Sequence, residues 1–96
     1  MRVAFTQEAQ RDFLAAVGYI ATRDPAAAAR FRRRVWGLLR RLAKFPRLGR
    51  EVPELPGRGY REVIHNPYRL FYRIDDNRVV VVAVWHGAQE PTEPRR

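Results

Sequence analysis

Ninety-six residues are enough for one domain with its own core and too few for two. The formal charge is +9, and 18 of the 19 basic side chains are arginine, a surplus that disfavours self-association and favours an acidic partner. Cysteine and serine are both absent, which excludes a disulfide framework, a cysteine zinc site, and thiol or serine nucleophiles.

Arg2 to Phe5 reads as a short strand. Thr6 is placed to cap a helix beginning near Gln7, with Glu8 beside the positive end of its dipole. Ala9, Phe13, Ala16, Val17 and Ile20 then share one stripe at helical spacing, and the helix is expected to end near Thr22. Asp24 and Pro25 restart the chain as N-cap and first helical residue. A second stripe follows, made of Ala28, Phe31, Val35, Leu38, Leu42 and Phe45, and Pro46 disfavours helical geometry at the residue before it. Two amphipathic helices joined by so short a turn form an antiparallel hairpin.

Pro46, Gly49, Pro53, Pro56, Gly57 and Gly59 mark an irregular loop without a periodic pattern. Beyond it the period becomes two. Tyr60 to His65 and Tyr68 to Ile74 are expected strands joined by an Asn66-Pro67 turn, with Leu70, Tyr72 and Ile74 on one face and Arg69, Phe71 and Arg73 on the other. Asp75-Asp76-Asn77 turns the chain into Arg78 to His86, whose run of valines reads as a central strand covered on both faces. The expected class is α+β: an N-terminal strand, an antiparallel helical hairpin, then a three-stranded antiparallel sheet, with the hairpin on one sheet face and arginines on the other. Residues 1–88 are expected to form this domain and residues 89–96 a flexible tail. The opening residues turn polar before a signal-peptide core can develop, and no stretch is long enough to span a bilayer, so a cytoplasmic protein without membrane association is expected.

Two basic clusters are candidates for function. Nine basic residues and no acidic one lie between Arg30 and Arg50. Most of them, including Arg33, Arg34, Arg40, Arg41 and Lys44, interrupt the apolar stripe, so they occupy the solvated face of the second helix. They suit phosphates or an acidic chain, and an ordinary solvated face accounts for them equally well. The second cluster joins Arg58, Arg61, Arg69 and Arg73 with Glu62, His65 and His86. Phosphodiester cleavage needs a base, a proton donor and cations for the phosphorane, and these residue types supply all three. A histidine at a strand end is more commonly a hydrogen-bonded surface residue, however. No zinc, triad or phosphate-loop spacing is present, so no metal and no cofactor is implied.

Four segments together resemble a known family: Thr6-x-x-Ala9-x-x-Asp12-Phe13, Phe45-Pro46-Arg47-Leu48-Gly49-Arg50, Gly59-Tyr60-Arg61-Glu62 with Pro67-Tyr68-Arg69-Leu70-Phe71-Tyr72-Arg73, and Val84-Trp85-His86-Gly87. In this order they resemble the RelE/ParE superfamily of type II toxin–antitoxin toxins over roughly residues 2–88, in wording closer to the ParE branch. The resemblance implies a RelE/ParE-like fold and a cognate antitoxin whose acidic or amphipathic C-terminal segment wraps the toxin. It implies growth arrest by inhibition of DNA gyrase, without enzymatic activity. The alternative within the superfamily is a ribosome-dependent messenger RNA endoribonuclease, for which Arg69, His86 and Arg61 would be the catalytic residues. A plain basic DNA-binding module is the third reading. Target or partner binding falls to Arg33, Arg34, Arg40, Arg41, Lys44, Arg58 and Arg73.

Overall fold

The computed structural model describes residues 1–87. The expected tail, and residue 88 of the expected domain, lie outside the described residues. The elements are β1 (Arg2–Phe5), α1 (Gln7–Ala21), α2 (Pro25–Lys44), β2 (Arg50–Glu51), β3 (Arg61–His65), β4 (Tyr68–Asp75) and β5 (Arg78–His86). Both helix starts follow from their caps. Thr6 Oγ1 accepts from the Ala9 N–H, and Asp24 Oδ1 accepts from Ala26 and Ala27, satisfying donors that the first helical turn leaves without partners. None of the helices among the described residues is long and apolar enough to cross a membrane.

The sheet has five strands in the order β1-β5-β4-β3-β2, rather than a first strand beside a three-stranded sheet. β1 runs parallel to β5, a pairing the sequence left open, and the other neighbours are antiparallel. β2 falls inside the expected loop. It is two residues long, too short to carry a period, and its pairing of Arg50 with Glu62 and Glu51 with Arg61 depends on side chains elsewhere.

β5 is buried from Val79 to Val84. A bulge moves the register from Phe71↔Ala83 to Tyr72↔Val81, so Val82 has no partner on β4. That extra residue changes the side-chain parity. Val79, Val81 and Val84 join the core beneath the helices, whereas Val80, Val82 and Ala83 join a second cluster with Val52, Tyr60 and Phe71. The face expected to carry arginines is thus largely apolar and is covered by the segment from Val52 to Tyr60.

Two positions in the α2 stripe also differ from expectation. Leu39 is buried where Leu38 is only half-buried, because a four-residue step from Val35 stays nearer the middle of the stripe than a three-residue step does. Phe45 is 62% exposed because it caps the helix in non-helical geometry and turns away from the core.

Tyr72 ties the irregular segment to this frame. Its phenol donates to the Pro46 carbonyl at 2.6 Å and accepts from the Gly49 N–H at 2.9 Å. Gly49 lies so close that a Cβ there would stand 2.5 Å from the Glu62 carbonyl oxygen and 2.7 Å from the Tyr72 hydroxyl. Gly49→Ala should therefore destabilise the protein by about 1–3 kcal/mol. Gly37→Ala, in the interior of α2 with nothing within 4 Å of the new methyl, should stabilise by about 0.5–1 kcal/mol. Urea unfolding midpoints of the two variants test both signs.

Candidate functional site

On the face away from the helices, a carboxylate is buried among arginines. Glu62 is 2% exposed and belongs to β3, facing Phe71 across the ladder. Its Oε2 accepts from Arg50 Nε at 2.6 Å, and its Oε1 accepts from Arg69 Nε at 2.7 Å. Arg69 turns the rest of its fork outward, with Nη1 and Nη2 donating to the two Glu54 oxygens at 3.1 and 2.9 Å. The guanidinium lies 5.0 Å from the centre of the Phe71 ring. Two carboxylates and two guanidinium groups thus balance in charge, with the planar Arg69 fork satisfied on both edges.

These contacts set the protonation of the outer members. Hydrogen bonds from Arg69 hold the Glu54 carboxyl below its usual range. Arg69 is raised above the ordinary arginine value, first by Glu54 and then by Glu62, against the opposing effect of burial.

The three residues considered for catalysis do not converge. Arg69 faces the Val52–Tyr60 segment. His86 lies on the helix face, its ring 5.6 Å from that of Tyr68, which itself packs 5.1 Å from Phe31. Arg61 is at the β2 end, where Nη1 donates to the Gly49 carbonyl at 2.7 Å and so holds the loop. Near His86, burial pushes the Asp12 carboxyl upward while a 3.1 Å hydrogen bond from the Val84 N–H opposes the shift.

The candidate binding residues divide into two groups. Arg33, Arg34, Arg40, Arg41 and Lys44 are all exposed along α2, with Arg33, Arg40 and Lys44 opposite the Phe31, Val35 and Leu42 stripe and Arg34 and Arg41 on its flank. Arg58 is exposed in the loop. Arg73 is half-buried, 3.7 Å from Asp75, and its Nη1 is buried without a hydrogen-bond partner among the described residues. Sequence reasoning grouped Glu62 with the arginines but missed Arg50 and Glu54 as its neighbours. Only the β2–β3 register and the course of the loop bring them together.

Residues 3–91 match the model of the family described as ParE toxin of the type II toxin–antitoxin system, parDE. The chain is 32% identical to Toxin RelE1 of Caulobacter vibrioides over 92 residues, covering 92% of this chain and 95% of that protein. Its fold is similar to a structure titled as the chromosomal ParDE toxin–antitoxin system from P. aeruginosa, with a TM-score of 0.74 at 16% identity, covering 90% of this chain and 95% of the other. The toxin–antitoxin complex RelBE2 from Mycobacterium tuberculosis contains a chain similar at a TM-score of 0.58 and 30% identity, with 88% of this chain and 95% of that one covered.

Removing one member of the buried network should cost more than removing the pair. Arg69→Met leaves the buried Glu62 with Arg50 alone and should destabilise by about 3 kcal/mol, whereas Arg69→Met with Glu62→Leu should recover most of that loss. Chemical denaturation of the two variants measures the difference.

Acid should act through Glu54. Its folded pKa lies below the unfolded value of 4.5, so its contribution is present above that pH and is lost as pH falls through the folded value. A Glu54→Gln chain should accordingly show a shallower fall in melting temperature between about pH 5 and pH 3.

Proposed function

The chain belongs to the ParE toxin family of type II toxin–antitoxin systems, and we propose that it arrests growth by inhibiting DNA gyrase, without cutting nucleic acid itself, until a cognate antitoxin neutralises it. The state of Arg69 carries this reading. A ribonuclease needs a cation free to meet the phosphorane and an acid–base group within hydrogen-bond reach of the same phosphate. Arg69 is 9% exposed and engaged by Glu62 and Glu54, and His86 projects from the opposite sheet face. Arg61 is occupied in holding the loop.

Two features support an antitoxin partner. Proteins of similar fold occur in systems titled as toxin–antitoxin assemblies. The band of Arg33, Arg34, Arg40, Arg41 and Lys44 is open to an acidic or amphipathic segment, and Arg58 and Arg73 extend the basic surface to the sheet half of the chain. The similarity to a protein named Toxin RelE1 favours a second reading, ribosome-dependent cleavage of messenger RNA.

Addition of the purified protein to gyrase should block supercoiling of relaxed plasmid, and arrested cells should accumulate DNA breaks. Intact supercoiling together with transcripts cut at the ribosome would replace the first reading by the second. Toxicity should be relieved by the antitoxin, whose binding should weaken at least tenfold in an Arg33→Glu, Arg40→Glu variant and with rising salt.

A further inference from the structure

The β3–β4 turn and the end of β5 meet at one end of the sheet, beside the turn between the helices. There His65, Tyr68 and His86 stand in register on three neighbouring strands. At a strand spacing of about 4.8 Å, this row extends over about 10 Å. All three rings lie on the helix face: Phe31 is 5.8 Å from His65 and 5.1 Å from Tyr68, and His86 is 5.6 Å from Tyr68. α2 closes the space from above and leaves a cavity of about 350 Å³, with Arg30 and Arg34, one helical turn apart, in its wall.

The electrostatic balance of this cavity differs from that around Glu62. No carboxylate lines it among the described residues. Arg34 makes no ion pair among the described residues, and Arg30 keeps only a loose 3.9 Å contact with Asp24, each side chain more than half exposed. Asn66 adds an amide that both donates and accepts at the mouth.

We propose that this cavity binds a nucleoside monophosphate unit, its phosphate between Arg30 and Arg34 and its heterocycle against the ring row. The two guanidinium groups of Arg30 and Arg34 at one small space exceed what a single carboxylate would balance. A phosphomonoester brings up to about two negative charges and three acceptor oxygens. Rings at the floor offer stacking surfaces to any base, and the Asn66 amide can meet a base edge. The volume falls at the small end of ordinary ligand pockets, about 300–1,000 Å³. The inference is independent of the gyrase reading, because the cavity lies across the sheet from the Arg69 network.

The full chain would be titrated calorimetrically with AMP, CMP, adenosine, inorganic phosphate and a 5′-phosphorylated single-stranded tetranucleotide, with the His65 and His86 ring protons followed by NMR. The monophosphates should bind at least tenfold more tightly than adenosine or phosphate alone and should move both histidine signals. Arg34→Ala, at an exposed position, should weaken binding about tenfold with an unchanged melting temperature. His65→Gln should weaken it several-fold. Tighter binding of the tetranucleotide would assign the ligand to a nucleic-acid strand, and equal or weaker binding would assign it to a free nucleotide. Absence of nucleotide binding, phosphate binding as tightly as AMP, or an Arg34→Ala chain with unchanged affinity would each overturn the assignment, as would an acidic tyrosine-bearing peptide binding where nucleotides do not.

Discussion

A strand that carries valine at Val79, Val80, Val81, Val82 and Val84 has no face it can leave to water. The hydrophobic gain from covering it, about 1.5–3 kcal/mol for each fully buried side chain, is available only if both sides are closed. The helical hairpin closes one side with Phe13, Phe31, Val35 and Leu42. Among the described residues no third helix covers the other, and an irregular segment closes it through Val52, Leu55 and Tyr60. Such a segment has few backbone hydrogen bonds of its own, so it must be fastened by side chains. Tyr72 fastens its beginning at Pro46 and Gly49, and Arg69 fastens its middle through Glu54.

Seen this way, the positive charge of the chain serves two purposes that composition merges. Some arginines are structural clamps: Arg50 and Arg69 neutralise a carboxylate that would otherwise be stranded in the sheet, and Arg61 holds a backbone carbonyl. Arg33, Arg34, Arg40, Arg41 and Lys44 make no such clamp among the described residues and stand exposed along α2. A buried ionic network adds little net stability compared with an apolar one, but it tolerates few alternative arrangements. The position of the Val52–Tyr60 segment is fixed accordingly.

Much of the fold was legible because it rests on local rules. Thr6, Asp24 and Pro25 mark helix starts by chemistry that acts within three residues, and the limits of β5 follow from Asp75-Asp76-Asn77 and the valine run. The features that escaped depend on distant partners. β2 exists through Glu62 and Tyr72, and the bulge at Val82 answers a mismatch with β4. The site divides in the same way. The residue types for phosphate chemistry could be listed, and parity within β4 separated Arg69 from Leu70 and Tyr72. That His86 shares a face with Tyr68 and His65, and not with Arg69, required the register across three strands.

The parallel pairing of β1 with β5 imposes an order on synthesis. Arg2 finds its partner at Arg78, so β1 waits for β5 to be made. At about 5–20 residues per second the delay is several seconds, during which the apolar side of the nascent hairpin has no sheet to rest on. A growing chain therefore lacks the finished surfaces of this domain until β5 has been made.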